Sequence, residues 1–156
     1  MNVPRSTRLA LASLVAGLAA GCAAPRLAPV DLAEPGWTIR ESAAVWHPPG
    51  NAPELAGELL VASHPDGRRF VQFSKQSFPV VVATVAPAGW SIGSPLRKGP
   101  PFGGRGRPTD RVPWFQFRSL PPGTPDSPRW QSVGTPGQPW RLQATRGNEF
   151  VEGPAP

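Results

Sequence analysis

The chain has 156 residues and a formal net charge of +6, with 23 prolines, 17 glycines and a single cysteine. Leu, Ile, Val and Phe number 34 together, just above the roughly one residue in five that a packed core needs, so the chain holds at most one modest domain with long irregular connections. One cysteine excludes a disulfide framework and any thiolate zinc site.

Met1–Arg8 carries two arginines, and Leu9–Ala20 follows as twelve residues without a charge. A basic start followed by a short apolar run is the pattern of a secretory signal. Twelve helical residues span about 18 Å, too little for a ~30 Å hydrocarbon core. The only cysteine then falls where cleavage is expected. The run Leu18-Ala19-Ala20-Gly21-Cys22 resembles the bacterial lipobox, with Ala19 where that motif usually has Leu. The resemblance implies a cut before Cys22, a diacylglyceryl thioether on its sulfur and acylation of the new N-terminus. An ordinary secretory signal is the alternative. Several acyl chains anchor a protein stably where one does not. In enteric lipoproteins Asp after the cysteine favours inner-membrane retention. Ala23 stands here, so the resemblance implies the outer membrane, facing the periplasm.

Residues 23–36 carry three prolines and no periodic pattern, which predicts a tether between Cys22 and a domain over 37–156. From Trp37 onward, short apolar or alternating runs recur between turn signals, the signature of strands. Strands are predicted at Trp37–Trp46, Glu58–Ser63, Arg69–Lys75, Pro79–Val85 and Trp90–Gly93. Residues 94–113 read as a Pro/Gly-rich loop. Val112–Leu120 reads as a strand with Trp114, Gln116 and Arg118 on one side and Phe115 and Phe117 on the other. A second Pro-rich loop covers 121–128, and Trp140–Thr145 forms a hairpin with Phe150–Gly153 through a turn at Arg146–Asn148. Trp140, Leu142 and Ala144 face inward in this reading. The predicted fold is mainly β: a small antiparallel meander curling into an open half-barrel with long Pro/Gly-rich loops.

Catalytic readings fail on spacing and order. Gly89-Trp90-Ser91-Ile92-Gly93 matches the G-x-S-x-G elbow, but that elbow needs a helix after the serine and a histidine later in the chain. Pro95, Pro100 and Pro101 forbid the helix, and His47 and His64 both precede Ser91. Neither histidine has a partner at metal-ligand spacing, so both read as solvated turn residues. The expectation is therefore no enzyme, no metal and no cofactor.

Binding is the better prospect. Nine Lys or Arg lie between Arg97 and Arg146, against Asp110 and Asp126 alone. Phe102-Gly-Gly-Arg105-Gly-Arg107 resembles an RGG-type segment, which in a cytosolic chain suggests single-stranded nucleic acid. An exported, anchored chain does not meet that partner, so Arg105, Arg107 and Arg111 are assigned instead to anionic headgroups. Trp46, Phe70, Phe73, Trp90, Phe115, Phe117 and Trp140 are too many to be exposed, and all but Trp46 are assigned to a possible ligand. They are either the core or the lining of a concavity that takes one apolar ligand.

From Ala56-Gly-Glu-Leu-Leu-Val-Ala to Trp90-Ser-Ile, the chain resembles the strand grammar of the lipoprotein-localisation (Lol) carrier and receptor. Val112-Pro-Trp-Phe to Leu120-Pro-Pro-Gly is faintly similar to a stretch of the receptor. The resemblance covers some 60 residues. It implies an open half-barrel holding acyl chains, hence a membrane-bound binding module for an acyl chain or amphiphile. The other reading is an accessory envelope lipoprotein that makes protein contacts and takes no ligand.

Overall fold

The computed structural model describes residues 27–135 and 137–155, so the signal segment 1–21 and Cys22 lie outside the described residues. Nine strands form one antiparallel sheet: β1 Thr38–His47, β2 Leu55–Ser63, β3 Arg69–Lys75, β4 Phe78–Ala86, β5 Gly89–Gly93, β6 Phe102–Gly104, β7 Trp130–Val133, β8 Trp140–Ala144 and β9 Phe150–Gly153. Their order across the sheet is β6-β5-β4-β3-β2-β1-β9-β8-β7. The two end strands do not pair, so the sheet is an open half-barrel, as expected.

The local causes are ordinary strand chemistry. β4 reads Pro-Val-Val-Val-Ala-Thr-Val after Phe78, a β-branched run suited to a pleated, half-buried surface. The β2–β3 turn closes with the Gly67 N–H donating to the His64 carbonyl at 3.0 Å. The β3–β4 turn uses Gln76 and Ser77, both at positive φ, the handedness that matches strand twist in two-residue hairpins. Alternation sends Leu59, Val61, Val71, Phe73 and Ala83 to the concave face, all nearly inaccessible. β9 joins the halves by pairing with β1 only over Val45–His47. The preceding part of β1 pairs with β2 alone, and its exposed Arg40 and Glu41 discourage edge-to-edge association.

The stretch Val112–Leu120 corrects the sequence reading. It is not a strand. Pro113–Gln116 forms a single turn of 3-10 helix, and Pro113, Trp114, Phe115 and Gln116 are all buried, as is Phe117. Proline lacks the N–H that a strand ladder needs and suits the first position of a helical turn. Two further elements lie where no strand was predicted: β6 inside the 94–113 loop, and β7 after the second Pro-rich loop.

The last residues of the predicted tether are docked. Arg68 donates from both terminal nitrogens to Glu34 at 2.8 Å each and from Nε to Asp66 at 2.6 Å. Its guanidinium also lies 5.3 Å from the Trp37 ring centroid. His64 is not the solvated turn residue expected: its side chain is 15% exposed, and its ring packs against Trp37. His47 is likewise covered, stacked on Phe150 at 3.7 Å. The Arg68 backbone N–H holds the Asp66 carboxyl down to about 2, and the Arg68 side chain lowers that of Glu34. The Glu34 carboxylate therefore favours the docked arm, and that contribution is lost as pH falls below about 4.5 through its lowered folded value. Arg68→Ala is expected to release the arm at neutral pH, read as faster amide hydrogen exchange over 34–37 with β3 unchanged. Wild type should show the same acceleration on acidification through that window.

Candidate functional site

The concave face of the sheet is the natural place for a ligand, and the chain itself occupies it. The 113–117 segment crosses the hollow and sets Trp114 at its centre. The Trp114 ring meets Trp46 edge-on at 5.1 Å, Phe73 at 5.5 Å and Phe117 at 6.3 Å. Phe117 in turn meets Trp140 at 5.9 Å, and Phe115 meets Trp90 at 5.2 Å. Edge-to-face and offset pairs at these separations add to the gain from burial. Trp46 is steered by its indole N–H, which donates to Glu149 at 3.3 Å, while burial pushes the Glu149 carboxyl up. The gap left among Val71, Ala83, Trp114, Phe115 and Phe117 is too small for a water molecule.

Of the six aromatic residues assigned to a ligand, Phe73, Trp90, Phe115, Phe117 and Trp140 are brought together, and all are buried in the core. Phe70 is not among them. It pairs across the ladder with Ala62 and Thr84 and stands on the convex face, because adjacent strand residues point to opposite sides. Trp114, the hub of the cluster, had been placed on the other side of a strand from Phe115 and Phe117. Pro113 was the signal against that placement.

The three arginines assigned to headgroups also separate. Arg107 lines a cavity with Arg69 and Arg118 at the end of the sheet where β1 begins. Arg111 lines a different cavity beside Trp130 and Glu149. Arg105 is exposed and lines neither.

An open groove runs along β5 under the 94–101 loop. Val82, Ile92 and Phe102 give it an apolar floor and wall, Arg97 and Lys98 stand at its rim, and its volume is about 690 Å³. Phe102 in its wall is 66% exposed, and Leu96, on the same loop but outside the groove lining, is 65% exposed. Among the described residues, no carboxylate lines the groove. Chemically it suits a molecule with an apolar part and an anionic end. Sequence reasoning put this loop down as a connection. The Arg97-Lys98 pair flanked by Leu96 and Phe102 was the available signal. No protein-family model, curated protein or solved structure matches the chain.

Proposed function

We propose that the chain is a lipid-anchored cell-envelope lipoprotein, tethered through Cys22 to the outer membrane on its periplasmic side. Its β domain acts there as a non-enzymatic binding module for an acyl chain or other amphiphile. The observation that carries the ligand reading is the groove along β5. It combines apolar walls, two cations that have no ion-pair partner among the described residues and the exposed Phe102. An amphiphile would lay its chain against Ile92 and Phe102 and its anionic end against Arg97 and Lys98. The open half-barrel is consistent with a carrier, but its hollow is filled by Trp114 and Phe117, so the ligand is assigned to the groove.

A second reading has its own support. The packed concave face is what an accessory envelope protein without a ligand would show.

One set of measurements separates these readings. Cys22→Ser is expected to abolish labelled palmitate incorporation and shift the chain out of the membrane fraction. Unchanged labelling would sink the anchor. Native mass spectrometry of the full chain from bacterial membranes is expected to show bound phospholipid or fatty acid that Phe102→Glu removes. A ligand-free spectrum from wild type would instead favour the accessory reading.

A further inference from the structure

The cavity lined by Arg69, Arg107 and Arg118 lies apart from the β5 groove. Register places Thr38, Ser63, Arg69 and Val85 in one row across β1–β4. The cavity therefore sits at the end of the sheet where the chain arrives from residue 37. Its volume is about 570 Å³.

Charge within it does not balance. Asp126 is taken by Arg118, whose Nε and terminal nitrogen donate to one carboxylate oxygen at 3.2 and 2.7 Å. Asp110 is taken by Arg129 from outside the cavity, at 2.9 Å. Arg69 donates only to the Phe115 carbonyl, at 3.0 Å. Among the described residues, neither Arg69 nor Arg107 has a carboxylate within ion-pair distance. Arg69 is partly desolvated and feels the like charge of Arg118, which together push its pKa down against a smaller opposing pull from Asp126, although a guanidinium keeps its proton in a protein. An unpaired, half-buried cation is costly unless something compensates it. Gln116, 5% exposed, also lines the cavity, with its Oε1 closed off from solvent and without a hydrogen-bond partner among the described residues.

We propose that this cavity is a binding site for a phosphate ester, with Arg69 and Arg107 as the ligands of the phosphate. Two uncompensated guanidinium groups match the charge of a phosphate, and their planar forks suit its oxygens. The volume exceeds what inorganic phosphate fills and leaves room for an organic group. The ester is either a soluble metabolite or a phospholipid headgroup. The lipid source alone rests on the membrane-anchored reading, since the cavity opens at the end of the domain nearest the tether.

The test uses the full chain in neutral detergent, titrated calorimetrically with inorganic phosphate at fixed ionic strength. Saturable binding is expected in the millimolar range or tighter. Arg107→Gln, an exposed change that removes no bond within the fold, is expected to weaken it about tenfold or more, and Arg105→Gln to leave it unchanged. No saturation by about 10 mM, or equal losses in the two variants, would overturn the site. A second arm places the chain in phosphatidylcholine vesicles with and without phosphatidylglycerol and follows phenylglyoxal modification of Arg107 by mass spectrometry. Protection by phosphatidylglycerol assigns the headgroup. Protection by inorganic phosphate alone keeps the site and assigns it to a soluble ester, against a lipid role.

Discussion

Trp114→Ala is expected to lower the free energy of unfolding by about 3–5 kcal/mol, the range for removing a buried aromatic ring. The ring is 3% exposed and touches Trp46, Phe73 and Phe117, so its removal leaves β1, β3 and the Phe117 ring facing a void. The hollow of a curved sheet collapses poorly, because β1 and β3 are each fixed by their ladders. In urea the midpoint should fall with the slope unchanged, and the melting temperature should drop by roughly 10–20 °C. Phe70→Ala, on the convex face, should cost far less. The comparison is decisive for the placement of the 113–117 segment. On an exposed face of a strand, the tryptophan could be truncated within about 0.5 kcal/mol. A small loss at Trp114 would mean that the segment does not fill the sheet.

What could be read from the residues divides along a physical line. β2 to β5 and the β8–β9 hairpin are legible because each carries an alternating or β-branched run, and every turn but Gln76-Ser77 has Gly or Pro in place. β6 and β7 are not. They have three and four residues, too few to show a period, and they exist because a neighbouring strand offers a ladder. The 113–117 segment fails for a different reason. Trp-Phe-Gln-Phe alternates like a strand, but its burial comes from all sides once it lies in a concavity, and a tertiary surround cannot be seen in a local pattern. The aromatic set was sound as a group that must be covered. Its covering is intramolecular, with the half-barrel holding its own aromatic plug.

The same division applies to the sites. Basic residues were visible as a local excess, but register and loop path decide which of them converge. Arg107 lines one cavity with Arg69 and Arg118, which are 38 residues before it and 11 after it in the chain, while Arg105 two positions away stays outside. Arg69 drew no attention in the sequence because a charged residue opening a strand is commonplace. Its lack of a carboxylate partner is visible only in three dimensions.

Gly57→Ala is expected to cost about 3 kcal/mol, at the upper end of overpacking penalties. Gly57 opens the Gly-Glu-Leu-Leu-Val run of β2 and faces the concave side opposite Ala44. A methyl group there would run into the Ser74 backbone carbonyl and reach 3.0 Å from the Phe73 ring. The carbonyl comes so close because the β3–β4 ladder shifts register between Phe73 and Ser74. Ser74 is itself buried, with its hydroxyl accepting from Gln72 at 3.0 Å, so it has little room to retreat. Gly67→Ala is the control. Gly67 sits at φ +92° with open space around it, and the substitution should cost only about 1–2 kcal/mol of backbone strain. The obstacle at Gly57 can be identified with a double-mutant cycle. If the carbonyl is the barrier, Phe73→Leu leaves the Gly57→Ala penalty unchanged within about 0.5 kcal/mol. A penalty that disappears with the ring would show that the barrier is the side chain and that the register shift is not what requires glycine.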